Sequence, residues 1–279
     1  MSNIKISTLW RYPVKSMMGE ELNGTQITTA GVLGDRAFAL IDTTNDKVIS
    51  AKNPKKWPNF FDFHAAYTAP LTDGKQTVWI QLPNGEVLNS AQTDINDKLS
   101  ASLGASVKLS TQAPDSAKLE QYWPEYEGEN NEISNEAVAG DAPQGSFFDY
   151  AALHLITTSS MEAMQKLYPE GRFEVRRFRP NIVVDTTGLE GFVENDWVGK
   201  TLRLGDTVRI RISDPCPRCV MPTLAQGDLP QDSGILRNAV AKNKPFVPFA
   251  GKELPSVGVY AQVIQAGWVK RGDTITIED

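Results

Sequence analysis

The stretch Asp214-Pro-Cys-Pro-Arg-Cys-Val-Met-Pro-Thr223 holds both cysteines of this 279-residue chain and sets Arg218 directly against Cys219. A thiolate beside a fixed positive charge is a tuned soft ligand or nucleophile, whereas a cysteine kept for packing needs no such neighbour. Cys219 is therefore the candidate reactive centre. Prolines at 215, 217 and 222 stiffen the segment and make it a poor continuation of either a strand or a helix.

Three chemistries suit these residues. The Cys216-Pro-Arg-Cys219 spacing is that of a redox dithiol, but that chemistry wants the first cysteine at a helix N-terminus, and Pro222 argues against a helix here. Cys216, Cys219 and the only two histidines, His64 and His154, add up to a zinc set, yet neither histidine has a partner at metal-ligand spacing. In the third reading a single protein thiolate completes a metal whose other soft ligands come from an organic cofactor. An anionic cofactor tail then needs holders, and the sequence offers Lys15 and Ser16 in Pro13-Val-Lys-Ser16, Arg36 in Gly34-Asp-Arg36, and Arg179 in Arg176-Arg-Phe-Arg179. It also offers the run Thr157, Thr158, Ser159, Ser160, where a strand feeds a helix through four hydroxyl residues. Ser159 and Glu162 read there as a capping box, and Met161 and Met164 as core.

The elements that position these groups are mostly strands. Ile4–Tyr12 alternates and runs into the Lys15–Ser16 loop, Ala37–Ile41 follows Arg36, and Ala152–Ile156 leads to the hydroxyl run. The apolar Ile182-Val-Val184 follows Arg179, and Val208–Ile212 delivers the chain to the cysteines. Val257–Ile264 and Thr274–Ile277 close the chain. One good helix is predicted around Ile95, Leu99 and Leu103, capped by Thr93 or Asp94 and ended by Gly104. The spacing also predicts a helix after Ser159 and a short one at Ile235–Ala241. The chain therefore reads as mainly β with a few helices: a β-rich domain over 1–115, an acidic loop or linker over 116–145 with charges at 125, 127, 129, 132 and 136, and a second β-dominated domain over 146–279.

Composition narrows the function class. No run of eighteen apolar residues occurs and Met1–Ile6 has no leader character, so a soluble, cytoplasmic protein without membrane contact is expected. Two closely spaced cysteines suit a reducing compartment. A formal charge of −6 disfavours nucleic acid as a partner.

Taken together, Trp10-Arg-Tyr-Pro-Val-Lys-Ser16, Gly34-Asp-Arg36, Phe178-Arg-Pro-Asn-Ile182, Trp197 with Gly199, Cys216-Pro-Arg-Cys219, Gly258-Val-Tyr260 and Gly272-Asp273 resemble the MOSC (molybdenum cofactor sulfurase C-terminal) superfamily. The likeness covers nearly the whole chain. It is closest to the branch with an N-terminal MOSC β-barrel domain that includes the amidoxime-reducing component and its bacterial relatives. The resemblance implies an N-terminal β-barrel-like domain, a MOSC β-barrel domain and a molybdenum–molybdopterin cofactor with Cys219 as metal ligand. It places phosphate contacts on Lys15, Ser16, Arg36 and Thr157–Ser160, and puts Arg179, Asn181 and Arg218 near the pterin. The implied activity is reduction of N-hydroxylated compounds, amidoximes or hydroxylamine-type base analogues, with electrons from a separate flavoprotein or iron–sulfur protein. A non-redox role, in which Cys219 carries sulfur or delivers cofactor, is the alternative. A pyridoxal phosphate enzyme with Lys15 as Schiff-base lysine is a more distant reading.

Overall fold

A computed structural model describes residues 4–71, 76–123, 132–143 and 145–278. The fold is mainly β with a few helices, and it divides into two compact units that interleave in sequence. One comprises Met1–Trp10, Glu21–Leu33 and Ala151–Asp279, the other Arg11–Glu20 and Gly34–Tyr150.

The first unit is built on an eight-stranded sheet. Its order is Glu20–Leu22, Lys5–Arg11, Ile182–Asp185, Leu153–Thr157, Ser256–Gln265, Val208–Pro217, Thr201–Leu204, Ile275–Glu278. Leu153–Thr157 is buried at every position, as expected of a central strand, and pairs in parallel with Ile182–Asp185. Parallel neighbours need a crossover, and helix Thr158–Leu167 lies in that connection. Its Met164 is buried with Val183, Ile235, Leu236, Ala239 and Val240, so the methionine stripe is core. Over Ile235–Ala239 the predicted short helix is a π-helical turn, followed by a 3-10 turn at Val240–Lys242.

Strand Val208–Pro217 departs from expectation. The prolines were expected to end it near Ile212, yet it continues through Asp214-Pro-Cys-Pro217 against Ser256–Gln265, with Asp214 opposite Tyr260, Pro215 opposite Val259 and Pro217 opposite Ser256. Register shifts at 212/214 and 215/217 absorb the prolines. Backbone pairing on the Thr201–Leu204 side runs through Ile212, which bonds Lys200 and Gly199, and among the described residues it goes no further, so the missing N–H groups of Pro215 and Pro217 leave no acceptor stranded there.

The second unit contains a five-stranded sheet, ordered Val107–Ser110, Ala39–Asp42, Lys47–Val48, Lys118–Trp123, Glu132–Ala137, and a three-stranded one of His64–Tyr67, Val78–Gln81 and Val87–Asn89. Helix Ile95–Leu103 has the expected bounds, with Asp94 as N-cap, Ile95 and Leu99 buried, and Gly104 closing it at φ 64°. The acidic stretch is not all loop. Lys118–Trp123 and Glu132–Ala137 pair antiparallel, Leu119 is buried in the core, and Glu120 takes hydrogen bonds from Lys47 and Asn53. Lys118-Leu-Glu-Gln-Tyr-Trp123 shows little alternation to mark it as a strand, and acidic residues follow, of which Glu125, Glu127 and Glu129 lie outside the described residues. Among those described, no helix is long and apolar enough to cross a membrane.

Gly258 sits inside a buried strand at φ 76°, and a Cβ there would stand 2.3 Å from the Leu155 carbonyl oxygen and 2.4 Å from His154 Nε2. Both neighbours belong to the central strand and cannot retreat cheaply. Gly258→Ala is expected to cost about 3 kcal/mol or more, combining left-handed strain with overpacking, as urea denaturation would measure.

Candidate functional site

Arg218 and Cys219 follow directly on Pro217, the last residue of the long strand. Cys216 is buried, Cys219 is half-buried, and neither forms a disulfide. After Cys219 comes a 3-10 turn, Met221–Thr223, rather than the helix a redox dithiol would use. Among the described residues no three His, Cys, Asp or Glu side chains gather for a metal. A metal at Cys219 would therefore rely on ligands that accompany it.

The Arg218 side chain folds back from Cys219. Its Nη1 lies 2.9 Å from Cys216 Sγ, its Nη2 donates to the Phe178 carbonyl at 2.9 Å, and its guanidinium stands 5.8 Å from the Phe178 ring centre. Nε is buried and has no hydrogen-bond partner among the described residues. Burial works against the charge, but the pull of Cys216, Tyr260 and Cys219 raises the guanidinium above its ordinary pKa. A charged group with a donor left over beside a half-buried thiol suits an anionic or hydrogen-bond-accepting ligand.

Arg179 and Asn181 flank the start of strand Ile182–Asp185. Arg179 is buried at φ 54°, where its N–H closes the short helix Val175–Phe178. Asn181 is an internal brace: its Oδ1 accepts from the His154 N–H at 3.2 Å, its N–H donates to the His154 carbonyl at 2.8 Å, and its carbonyl accepts from Trp10 N–H. His154 itself is buried, with Nε2 3.3 Å from the Val257 carbonyl.

The hydroxyl run surrounds a carboxylate of the protein's own. Glu194 is fully buried and accepts from Thr157 Oγ1 at 2.6 Å, from Ser160 Oγ at 2.6 Å and from the Gly258 N–H at 3.2 Å. Burial pushes its carboxyl up against the pull of those donors. Thr157 is the helix N-cap, accepting from Ser160 N–H at 3.2 Å, so the cap lies two residues before the expected Ser159–Glu162 box. The Thr158 hydroxyl and Ser159 N–H both engage Thr186.

Lys15, Ser16 and Arg36 belong to the other unit. Lys15 is buried, donating to the Phe147 carbonyl at 2.6 Å and pairing with Asp149, which Lys52 also reaches at 3.1 Å. Burial lowers Lys15 from 10.5 to about 8 despite Asp149. Desolvation opposes ionisation of Asp149, but Lys15 and Lys52 hold its carboxyl well below the usual range. Ser16 Oγ accepts from Ala51 N–H at 3.1 Å. Arg36 is no surface residue: it pairs with buried Asp35, which also accepts from Tyr12 N–H at 2.7 Å, and its guanidinium lies 4.9 Å from the Tyr12 ring centre and 5.6 Å from that of Phe148. Ser16 and Arg36, like Arg179, have positive φ, at 65° and 49°. Left-handed backbone at non-glycine residues persists only where surroundings impose it, and it concentrates at functional sites.

A MOSC N-terminal beta barrel domain matches residues 3–124 and a MOSC domain residues 142–276. The chain belongs to the MOSC superfamily. Over 97% of its length it is 24% identical to mitochondrial amidoxime reducing component 2 from Rattus norvegicus, and 24% identical to the Bos taurus protein of that name, covering 82% of each. Among solved structures, the YuaD protein from Bacillus subtilis aligns over 99% of this chain and 95% of its own with 11% identity and a TM-score of 0.45.

Within the MOSC domain, Glu194 and Arg177 escaped the sequence reading. Arg177 is fully buried and donates to the carbonyls of Arg172, Pro222, Leu224 and Pro230 at 2.8–3.1 Å. Three arginines in four positions signalled function in general but not which one points inward. Glu194 had a signal: four consecutive hydroxyl residues at a buried helix start need acceptors. Asp149 had none, because a lone aspartate after two phenylalanines reads as a turn.

Two titrations follow. With 13C-methylated lysines, Lys15 should titrate near pH 8 in the wild type, about 8 being where burial lowers it, and lower still in Asp149→Asn, because the raising partner is gone while burial remains. Glu194 has a folded pKa above its unfolded one, so its ionisation destabilises the fold as pH rises through the folded value. The stability of Glu194→Gln relative to wild type, from urea denaturation, should therefore increase between pH 5 and pH 8.

Proposed function

We propose that this chain is a molybdenum-cofactor oxidoreductase of the cytoplasm that reduces N-hydroxylated compounds, such as amidoximes or hydroxylamine-type base analogues. Electrons come from a separate protein, a flavoprotein or iron–sulfur protein. The observation that carries the reading is the half-buried Cys219 beside a charged, half-buried Arg218 whose buried Nε has no partner among the described residues, in a MOSC chain similar over nearly its whole length to amidoxime reducing component 2.

The residues fit the group. Cys219 supplies one soft anionic ligand, which is what a metal already carrying organic sulfur ligands requires of its protein. Arg218 offers Nε, and Arg179 at the adjacent strand entry is assigned to the pterin, while Asn181, engaged with His154 and Trp10, holds that entry in place. Lys15, Ser16 and Arg36 are assigned to the phosphate. Because Thr157 and Ser160 already hold Glu194, the Thr157–Ser160 turn contributes mainly by fixing the helix start. When bound, the cofactor supplies the two-electron centre at which the N–O bond is cleaved. Overall the substrate gains two electrons and two protons, the N–OH group becomes N–H, and the oxygen leaves as water. Arg218 keeps its charge throughout, so it can hold developing negative charge near Cys219 without taking part in proton transfer.

Expression in a cofactor-competent host should give near-stoichiometric molybdenum in the wild type. Cys219→Ala should lose most of the metal and all amidoxime reduction while retaining its circular dichroism spectrum. Arg218→Met should lower metal retention about 10- to 100-fold, the range for removal of a residue that supports a ligand. Full turnover by Cys219→Ala would sink the reading, and a Cys219 persulfide passed to an acceptor protein, with no N-hydroxy turnover, would replace it with sulfur transfer.

A further inference from the structure

The segment that precedes strand Ser256–Gln265 forms a small projecting hairpin, Phe246–Val247 paired with Lys252–Glu253. Val247 is fully buried and anchors it, whereas Phe246 and Phe249 are 59% and 46% exposed. Two phenylalanines presented to water on one hairpin are a cost that an interaction surface explains. Around them Lys242, Lys244 and Lys252 are exposed and make no ion pair with a described residue; Glu253 is the only acidic residue between 242 and 253. In a chain of formal charge −6 this is a local reversal of sign.

The base of the hairpin is tied to the cysteine segment. The Arg218 N–H donates to the Pro255 carbonyl at 2.9 Å, and Pro217 stands opposite Ser256. Asn243 locks the other side of the base, accepting from Ser256 N–H at 3.0 Å and donating from Nδ2 to the Ser256 carbonyl at 2.8 Å. The exposed aromatics thus sit on a rigid support hydrogen-bonded to the residue next to Cys219.

We infer that the hairpin Phe246–Glu253, with Lys242 and Lys244, is the docking surface for an acidic one-electron carrier protein that reduces the centre at Cys219. This rests on the oxidoreductase reading above. The carrier's carboxylates face the lysines, the phenylalanines exclude water at the middle of the contact, and two successive encounters deliver the two electrons that each N–OH reduction consumes. Such a contact combines an apolar centre with a charged rim, and the rim charges set the association rate.

The test uses molybdenum-loaded full-length protein, an aryl amidoxime as substrate, and three reductants: reduced flavodoxin, reduced plant-type ferredoxin and reduced methyl viologen. In the variant Lys242→Glu, Lys244→Glu, Lys252→Glu, the KM for the protein donor should rise at least about tenfold, in keeping with steering by rim charges. Its viologen-supported rate and amidoxime KM should stay at wild-type values. Salt should slow wild type with the protein donor and, by screening the introduced repulsion, speed the variant. Phe246→Ser with Phe249→Ser should raise the donor KM without removing the salt dependence. An unchanged donor KM in both variants overturns the proposal. So does a viologen-active wild type that accepts electrons from neither flavodoxin nor ferredoxin, or lysine-dependent sedimentation with phosphatidylglycerol vesicles, which would make the hairpin a membrane contact. Loaded wild type inactive with viologen would instead bring down the oxidoreductase reading itself, and the docking site with it.

Discussion

The ladder between Val208–Pro217 and Ser256–Gln265 is the constraint on which the proposed metal end of this protein depends. It pairs the two longest strands, and each feature of interest in that unit hangs from it. Cys216 lies within one strand and Cys219 just past its end. The other strand carries Gly258, whose N–H reaches Glu194, and Tyr260, whose ring centre lies 6.0 Å from that of His154. Because pairing on one side of the strand ends at Ile212 among the described residues, prolines can be built in beyond it without loss of ladder bonds. That combination carries a stiff, thiol-bearing segment out of a fully hydrogen-bonded core.

The protein handles charge removed from water in three different ways. Lys15 and Arg36 are neutralised by carboxylates, Asp149 and Asp35. Glu194 has no cationic partner among the described residues and is held by hydroxyls and backbone N–H groups, and burial pushes its carboxyl toward the protonated form. Arg218 has for counter-charge only a sulfur atom at hydrogen-bond distance and the more distant pull of Cys219 and Tyr260. The last arrangement leaves positive potential beside Cys219, as a thiolate ligand and an anionic cofactor would require.

The β character, the 95–103 helix, the methionine core and the family were all legible in the sequence, because each rests on local pattern or on residues that stay adjacent in the chain. What was not legible depends on distant partners. Strand Lys5–Arg11 pairs with Ile182–Asp185, which interleaves the two units in a way that no composition shift marks. The continuation through Pro215 and Pro217 requires knowing that one side of the strand is unpaired. The hydroxyl run reads as a holder for an anionic ligand, and nothing local tells that its Thr157 and Ser160 hydroxyls donate to Glu194, supplied from more than thirty residues away. Arg36 read as a possible surface pair because nothing local says that Asp35 will be buried beneath Tyr12.

Arg177 has a consequence for how such a site could diversify. Its guanidinium grips carbonyl oxygens at 172, 222, 224 and 230 and touches no side-chain acceptor. Carbonyls are common to every residue type, so the grip fixes the path of the chain after Cys219 while remaining indifferent to what that chain displays. Exposed Ala225 can thus change without shifting the thiol, whereas buried Thr223 and Gln226 donate to the Val220 and Met221 carbonyls and belong to the grip itself. The molecule separates the geometry of its candidate thiol from the chemistry of the exposed wall beside it, and buried Arg177 keeps the two apart.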